Sequence, residues 1–334
     1  MDVTQLTFDE WEEALPDREF EVFHTPEALR VLDDYAEGDL HLYGAFKGDQ
    51  PVALFPLFVR EAAVGRFVTS PPPSLSVPHL GPLVMPNSPK RRKHERINQT
   101  FAENVLDELD VETRGTLFRM VCPPEYTDPR PYDWNEFELT PRFTYVLDVG
   151  SSTPTEISDS FSSSLRREIR DADELDFDIT VEGVDAARRV YQETTERFRE
   201  QGESFPFSWD YVEDLLTALD ERARVYVARD ADGTFLNGIT VLYSNERAYF
   251  WQGGTRTTYE GVSINSALHW QIIEDIADDP PLGSVSKYDL FGANTPRLCQ
   301  YKAKFGADLV PYYVVESSGP TMDIAKRAYE IVQR

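Results

Sequence analysis

The sequence predicts an α/β protein with mixed sheets, built as two domains of similar plan. Three observations carry that expectation. The chain has 334 residues, room for two domains of about 150 residues with a core in each. The second half reads strand, two helices, three strands joined by polar turns, helix, strand, helix, strand, an order that packs helices on a sheet. The first half repeats part of this grammar. DLHLYGAFKGDQPVALFPLF and RARVYVARDADGTFLNGITVL each run strand, polar turn, apolar strand, at low identity. The chain therefore divides into residues 1–142 and 143–334.

The first domain opens with a strand at 3–7 and short acidic helices near 8–15 and 26–35. Strands at 40–47 and 52–60 follow around the turn Lys47-Gly48-Asp49-Gln50. VALFPLFV is apolar on both faces and belongs inside a sheet, with Pro56 requiring a bulge or an edge. A weaker strand covers 66–70. The segment SPPPSLSVPHLGPLVMPNSP, 70–89, predicts an ordered irregular loop without helix or regular strand, long enough to be functional. His79 is its only titratable group. A helix spans 89–109 and starts on KRRKHER, basic residues that oppose its dipole. Either a polyanion contact or the acidic ENVLDELDVE that follows offsets this mismatch. A strand at 116–122 and an irregular passage over 123–141 complete the domain.

In the second domain a strand at 143–149 leads through a serine-rich linker to one helix over 154–175, where Arg166 and Arg170 lie one turn apart. Strand 177–181, helices 185–200 and 209–220, and strands 225–229, 235–243 and 247–252 follow. In the last of these, Tyr249 and Trp251 alternate with Phe250 and share a face. A helix over 261–277 carries Ile264, Leu268, Ile272 and Ile276 at four-residue spacing. His269 on it reads as a packed or solvated histidine. A last amphipathic helix covers 322–332.

Composition narrows the function. No stretch of about 18 apolar residues is present, and the acidic start MDVTQLTFDEWEEALPD lacks the form of a signal peptide. These features predict a cytoplasmic protein without membrane insertion. Cys122 and Cys299 lie far apart without ligand-like neighbours, so neither a disulfide framework nor a metal site is expected. The formal net charge is −26, and only seven of the 33 basic residues are lysine. Acidic residues spread along the whole chain read as a surface hydrated against high salt, a halophilic signature, with an acidic partner-binding protein as the competing reading. No Ser-His-Asp arrangement, Walker loop or Rossmann glycine pattern occurs.

The stretch YDLFGANTPRLCQYKAKFGADLVPYY, 288–313, organises the rest. YDLF is an apolar strand closed by Gly292. Thr295 caps a helix of about ten residues, Pro296 fits its first position, and Gly306 ends it. Leu298, Tyr301 and Phe305 share its core face, and Lys302 lies beside that face. Residues 309–315 return to a sheet. Lys302 reads two ways: a compact ammonium donating to one oxyanion, or a lysine snorkelling over apolar surface.

YDLFGAN followed by YKAKFGADLVPYY resembles the C-terminal signature of the Fem-type aminoacyl transferases, tandem-domain members of the GNAT superfamily. The resemblance implies two tandem GNAT-like domains and acyl transfer. Tyr301-Lys302 and Phe305-Gly306 match the family's Phe/Tyr-Lys pair and Phe-Gly, so it implies that Lys302 stabilises the oxyanion and that Tyr301 contacts substrate. SSSLRREIRDADEL is similar to a family segment whose basic residues hold a phosphate, a role Arg166 or Arg170 can fill; both also read as surface arginines. Tyr249 matches a cavity-lining tyrosine and Trp251 replaces another; both also read as core aromatics. In a GNAT sheet two parallel strands diverge, and the acyl donor lies in the notch between them. The loop GGTRTTYEGVS beside it departs from the coenzyme A pattern but retains Arg256, Gly261 and Ser263, and can turn N–H groups to a phosphate.

The function this implies is N-acyl transfer to an amine from acyl-CoA as a co-substrate, with no tightly bound cofactor. The alternatives are an aminoacyl-tRNA-dependent Fem-type transferase and a non-catalytic GNAT-fold binding module. A net charge of −26 disfavours tRNA and gives no expectation of DNA binding.

Overall fold

The computed structural model describes residues 2–62, 65–85, 88–111, 116–254 and 257–318. Two compact units divide it: Met1–Arg142 with the chain from Pro311 onward, and Phe143–Val310. The sequence predicts a single break at 142, whereas the chain from Pro311 belongs to the first unit. The helix expected at 322–332 lies outside the described residues.

The first unit contains β1 (Val3–Gln5), α1 (Phe8–Ala14), α2 (Pro26–Tyr35), β2 (Asp39–Lys47), β3 (Gln50–Ala62), β4 (Gly65–Ser70), β5 (Leu83–Val84), α3 (Arg91–Glu108), β6 (Thr116–Val121) and α4 (Arg130–Trp134). Its strands run β1-β2-β3-β4-β6, with β5 also on β3. Among the described residues of these strands β4 and β6 pair in parallel and the other pairs are antiparallel. Phe101, Ala102, Val105 and Leu106 of α3 pack on the sheet residues Phe55, Val68 and Phe118. Pro56 needs neither bulge nor edge. It pairs with Leu42 of β2, while the other side of β3 changes partner from β5 (Ala53, Leu54) to β4 (Phe58 onward). The ring sits in that gap, where no ladder N–H is required. The described residues of 71–89 are irregular except for β5, and the passage after 122 holds α4 and the start of the next strand.

The second unit begins within β7 (Glu138–Asp148) and continues through α5 (Pro154–Ser160), α6 (Ser163–Asp173), β8 (Phe177–Glu182), α7 (Val184–Glu200), α8 (Trp209–Leu219), β9 (Ala223–Asp230), β10 (Phe235–Tyr243) and β11 (Arg247–Gly253). A small hairpin, β12 (Thr258–Tyr259) and β13 (Val262–Ser263), leads to α9 (Ile264–Asp278), β14 (Lys287–Asp289), α10 (Pro296–Lys302) and β15 (Asp308–Glu316). The single helix expected over 154–175 is two, because Ser162 caps a new start by accepting from the Leu165 N–H. The far end of β15, Val314–Glu316, pairs with β6.

The order in this unit is β7-β14-β11-β10-β9-β8, with β11 and β14 parallel and the other pairs antiparallel. Ile264, Leu268, Ile272 and Ile276 of α9 join Ile239, Val241 and Tyr243 of β10 in one core, as the four-residue spacing predicts. Alternation sends Gly238 and Thr240 to the opposite face. There α7 approaches so closely that a Cβ on Gly238 would lie 2.6 Å from Val190.

Candidate active site

The parallel ladder between β11 and β14 is short. Arg247, Ala248 and Tyr249 pair with Lys287, Tyr288 and Asp289, and there β14 ends while β11 continues to Gly253. Residues 250–253 therefore border an opening in the sheet, the notch expected between these strands. β11 is irregular at the same place: Gln252 faces Thr240 and Phe250 faces Val241, leaving Trp251 as an extra residue. Bulges of this kind re-aim side chains beside functional sites.

The chain leaves β14 through a strained turn. Phe291 has φ 61° and Gly292 φ 79°, left-handed values that cost a bulky residue but not glycine. Two buried side chains hold the turn. Asp289 accepts from the Phe291 N–H at 2.8 Å and from the Thr144 hydroxyl at 2.5 Å, and Thr144 in turn accepts from the Gly292 N–H at 3.1 Å. The carbonyls of Phe291 and Gly292 both accept from the Lys302 ammonium, the second at 2.9 Å.

Lys302 reaches this place because α10 is fixed at both ends. Thr295 accepts from the Leu298 N–H and Pro296 occupies the first turn. The helix closes through a 3-10 turn into Gly306 at φ 65°, where a Cβ would collide with Ser160. Phe305 is fully buried against Phe161, His269 and Tyr301. Leu298, expected on this core face, is 43% exposed instead. Lys302 itself is only 4% exposed, so it is not a surface-covering lysine. Its ammonium lies 6.0 Å from the centre of the Phe250 ring, the outer limit of a cation–π contact. An ammonium has three N–H donors, and two carbonyls leave one for a ligand.

Burial brings the Lys302 pKa down to about 8, opposed by the charge of Asp289 and then by Cys299. The group stays protonated at neutral pH. Asp289 is pushed up by burial, against the opposing pull of Arg247, its hydrogen bonds and Lys302. His269 packs among Phe250, Tyr288, Tyr301 and Phe305 with Nδ1 2.8 Å from the Tyr288 hydroxyl. Burial, then the Lys302 charge, lower its pKa to about 3. It is the packed histidine of the two readings, and neutral.

Tyr301 accepts a hydrogen bond from Asn265, and its ring centre lies 6.1 Å from that of His269. Tyr249 is buried next to Arg247, whose guanidinium carbon lies 5.9 Å from the ring centre. Trp251 stacks on Phe207 and meets Tyr211, a cluster on the α8 side. Arg166 and Arg170 are exposed on α6, and Arg166 is 3.6 Å from Asp159. Glu168 between them holds Lys304 and Ser266 instead. Gly261 sits at the β12–β13 turn with φ 85°, after Glu260 at φ 50°. Ser263 is the N-cap residue of α9 but its side chain caps nothing. Arg256 lies outside the described residues. Thr144 is distant in sequence and carries no motif that marks it, and in the sequence Phe250 shows only as the spacer between Tyr249 and Trp251. A separate cleft of about 1020 Å³ in the first unit is lined by residues such as Pro51, Pro82, Asp128 and, from the basic start of α3, Arg91 and His94; it contains none of the residues expected at the acyl-transfer site.

Residues 159–303 match the family described as Acetyltransferase (GNAT) domain. That span runs from α5 to the Lys302 turn. This chain carries a GNAT acetyltransferase domain over that span. Its fold extends the likeness beyond the matched span. FemX superposes with a TM-score of 0.67 over 100% of both chains at 10% identity. A tandem GNAT protein from the clavulanic acid biosynthesis pathway gives 0.52 over 96% of this chain and 99% of its own, at 14% identity. L-PGS from Bacillus licheniformis gives 0.52 over 90% and 94%, at 12% identity. At these identities the likeness is one of fold. A search of the curated proteins finds no match to the sequence. Among the described residues of the chain, no helix is long and apolar enough to cross a membrane, and no cluster of potential metal ligands occurs.

Proposed function

We propose that this acyltransferase moves an acyl group from an acyl-CoA thioester to an amine, with Lys302 as the oxyanion donor. The observation that carries the reading is a buried ammonium with one uncommitted N–H, held at the point where β11 and β14 part. Attack by the neutral amine forms the C–N bond and puts negative charge on the thioester oxygen, which Lys302 meets at no reorganisation cost. Collapse breaks the C–S bond, and the departing thiolate takes the proton the amine gives up. The strained turn supports this role, since its two carbonyls fix the ammonium before substrate arrives.

On this reading Tyr301, Tyr249 and Trp251 bound the reacting groups, and Arg166 or Arg170 meets an anionic part of a substrate. Gly261, Ser263 and Arg256 belong to the loop that takes the donor phosphates, beside the α9 start that Ser263 leaves without a side-chain cap. A net charge of −26 favours a small donor over aminoacyl-tRNA, and with few lysines it supports a cytoplasm of high salt.

Calorimetric titration with acetyl-CoA in high-salt buffer tests the proposal. Stoichiometric binding together with acetyl transfer to an amine upholds it. Binding of no acyl-CoA refutes it in favour of the aminoacyl-tRNA route or a binding module.

A further inference from the structure

Three buried polar atoms without a hydrogen-bond partner lie on one register pair at the open end of β11: Oε1 and Nε2 of Gln252, and the hydroxyl of Thr240. Gln252 is 6% exposed and Thr240 1%. Both turn away from the α9 core. Ile239 and Val241, on either side of Thr240, belong to that core, and alternation sends Thr240 to the α7 face. Gln252 is its direct partner across the ladder. The bulge at Trp251 is what puts Gln252 there, because a regular strand would have set Trp251 opposite Thr240.

Leaving these groups unmet costs their full desolvation, and an apolar pair of the same shape would avoid it. Gln252 stands on the part of β11 that β14 no longer covers, and Thr240 faces it from β10. A glutamine offers one acceptor and a pair of donors on a single planar group, and the hydroxyl can act either way. That set matches a neutral secondary amide, whose carbonyl accepts from Nε2 while its N–H donates to Oε1.

We infer that Gln252 and Thr240 form a recognition site for an amide group of a substrate, on the α7 face of the notch. The inference rests on the acyl-transfer reading, in which two substrates can supply the amide. One is the pantetheine arm of an acyl-CoA, and the other is an amine acceptor of peptide character.

Titration of wild type, Gln252→Leu and Thr240→Val with three probes separates the sources. Coenzyme A carries pantetheine amides, 3′,5′-ADP is its nucleotide part without them, and glycylglycinamide is an amine with amides. If the donor supplies the amide, Gln252→Leu binds coenzyme A roughly tenfold more weakly and 3′,5′-ADP unchanged. If the acceptor supplies it, the loss falls on glycylglycinamide alone. Thr240→Val gives a smaller loss for the same probe, and keeps the test open should Gln252→Leu fail to fold. Unchanged affinities in both variants, with the wild type binding, mean that water fills the site and overturn this inference alone. A wild type that binds neither coenzyme A nor glycylglycinamide overturns it together with the proposed function.

Discussion

Replacing Lys302 by methionine keeps the length of the side chain and removes its charge. The oxyanion then loses its donor, and loss of one such donor lowers kcat about 10²–10³-fold, or about 2.7–4 kcal/mol of transition-state stabilisation. Stability should change little. The fall of the Lys302 pKa from 10.5 to about 8 means that burying the charged form costs about 3 kcal/mol, which the substitution recovers. Against this, the carbonyls of Phe291 and Gly292 lose their donor, at about 1–3 kcal/mol for each group left buried and unmet. The two effects roughly cancel. The assay is acetyl transfer from acetyl-CoA to a panel of amines, followed at saturating substrate, with thermal unfolding measured on the same preparations. A Lys302→Met protein that melts near the wild type and turns over within threefold of it refutes the mechanism. Lys302→Arg distinguishes charge from shape: the larger, planar guanidinium cannot hold two convergent carbonyls and the substrate oxygen together, so it should recover little of the rate.

Four further outcomes follow from the same geometry. The rate should fall as pH rises through about 8, where Lys302 loses its proton, and a pH–rate profile flat to pH 10 contradicts the assignment. Lys302 has a lower pKa folded than unfolded, so its contribution to stability is complete above 10.5 and lost as pH falls through about 8; the stability of wild type relative to Lys302→Met should rise across that window in denaturant titrations. Asp289→Asn keeps an acceptor for the Phe291 N–H but removes the charge that holds the Lys302 pKa up, so the alkaline limb should move to lower pH. Gly254→Ala should lower the melting temperature by several degrees, about 1–3 kcal/mol, because Gly254 has φ 65° and a Cβ there would lie 2.6 Å from Asn265 Oδ1.

The elements of the second unit were legible because their signals are local. Thr295, Pro296 and Gly306 mark α10 on their own, and the isoleucine spacing of α9 reports its buried face whatever it packs against. Phe161-Ser162 shows where local reading fails: a serine inside an amphipathic run is neutral in a helix and strong as a cap, and the choice depends on the core position of Phe161. Pro56 fails for a related reason, since what tolerates it is a change of partner strand from β5 to β4, which no pattern within β3 records. The site divides the same way. Lys302 stands out in its motif, whereas Thr144 and Gln252 are brought to the candidate site by register, one across β14 and the other across a bulge.

The turn at Phe291 and the lysine behind it act as one device. A non-glycine residue at positive φ is held only when its surroundings over-determine it, and here Asp289 and Thr144 bind the turn's N–H groups from one side while Lys302 binds its carbonyls from the other. The carbonyls alone would make a cation site, and the ammonium alone would be free to turn toward Asp289. Together they leave a single N–H whose direction is fixed by the other two. Phe291→Gly tests this, because glycine accepts the left-handed backbone without penalty and removes the steric reason for a rigid turn. If fixed direction contributes to catalysis, the variant should keep its stability and lose part of kcat with KM little changed. An unaltered kcat would mean that the charge of Lys302 suffices wherever it points.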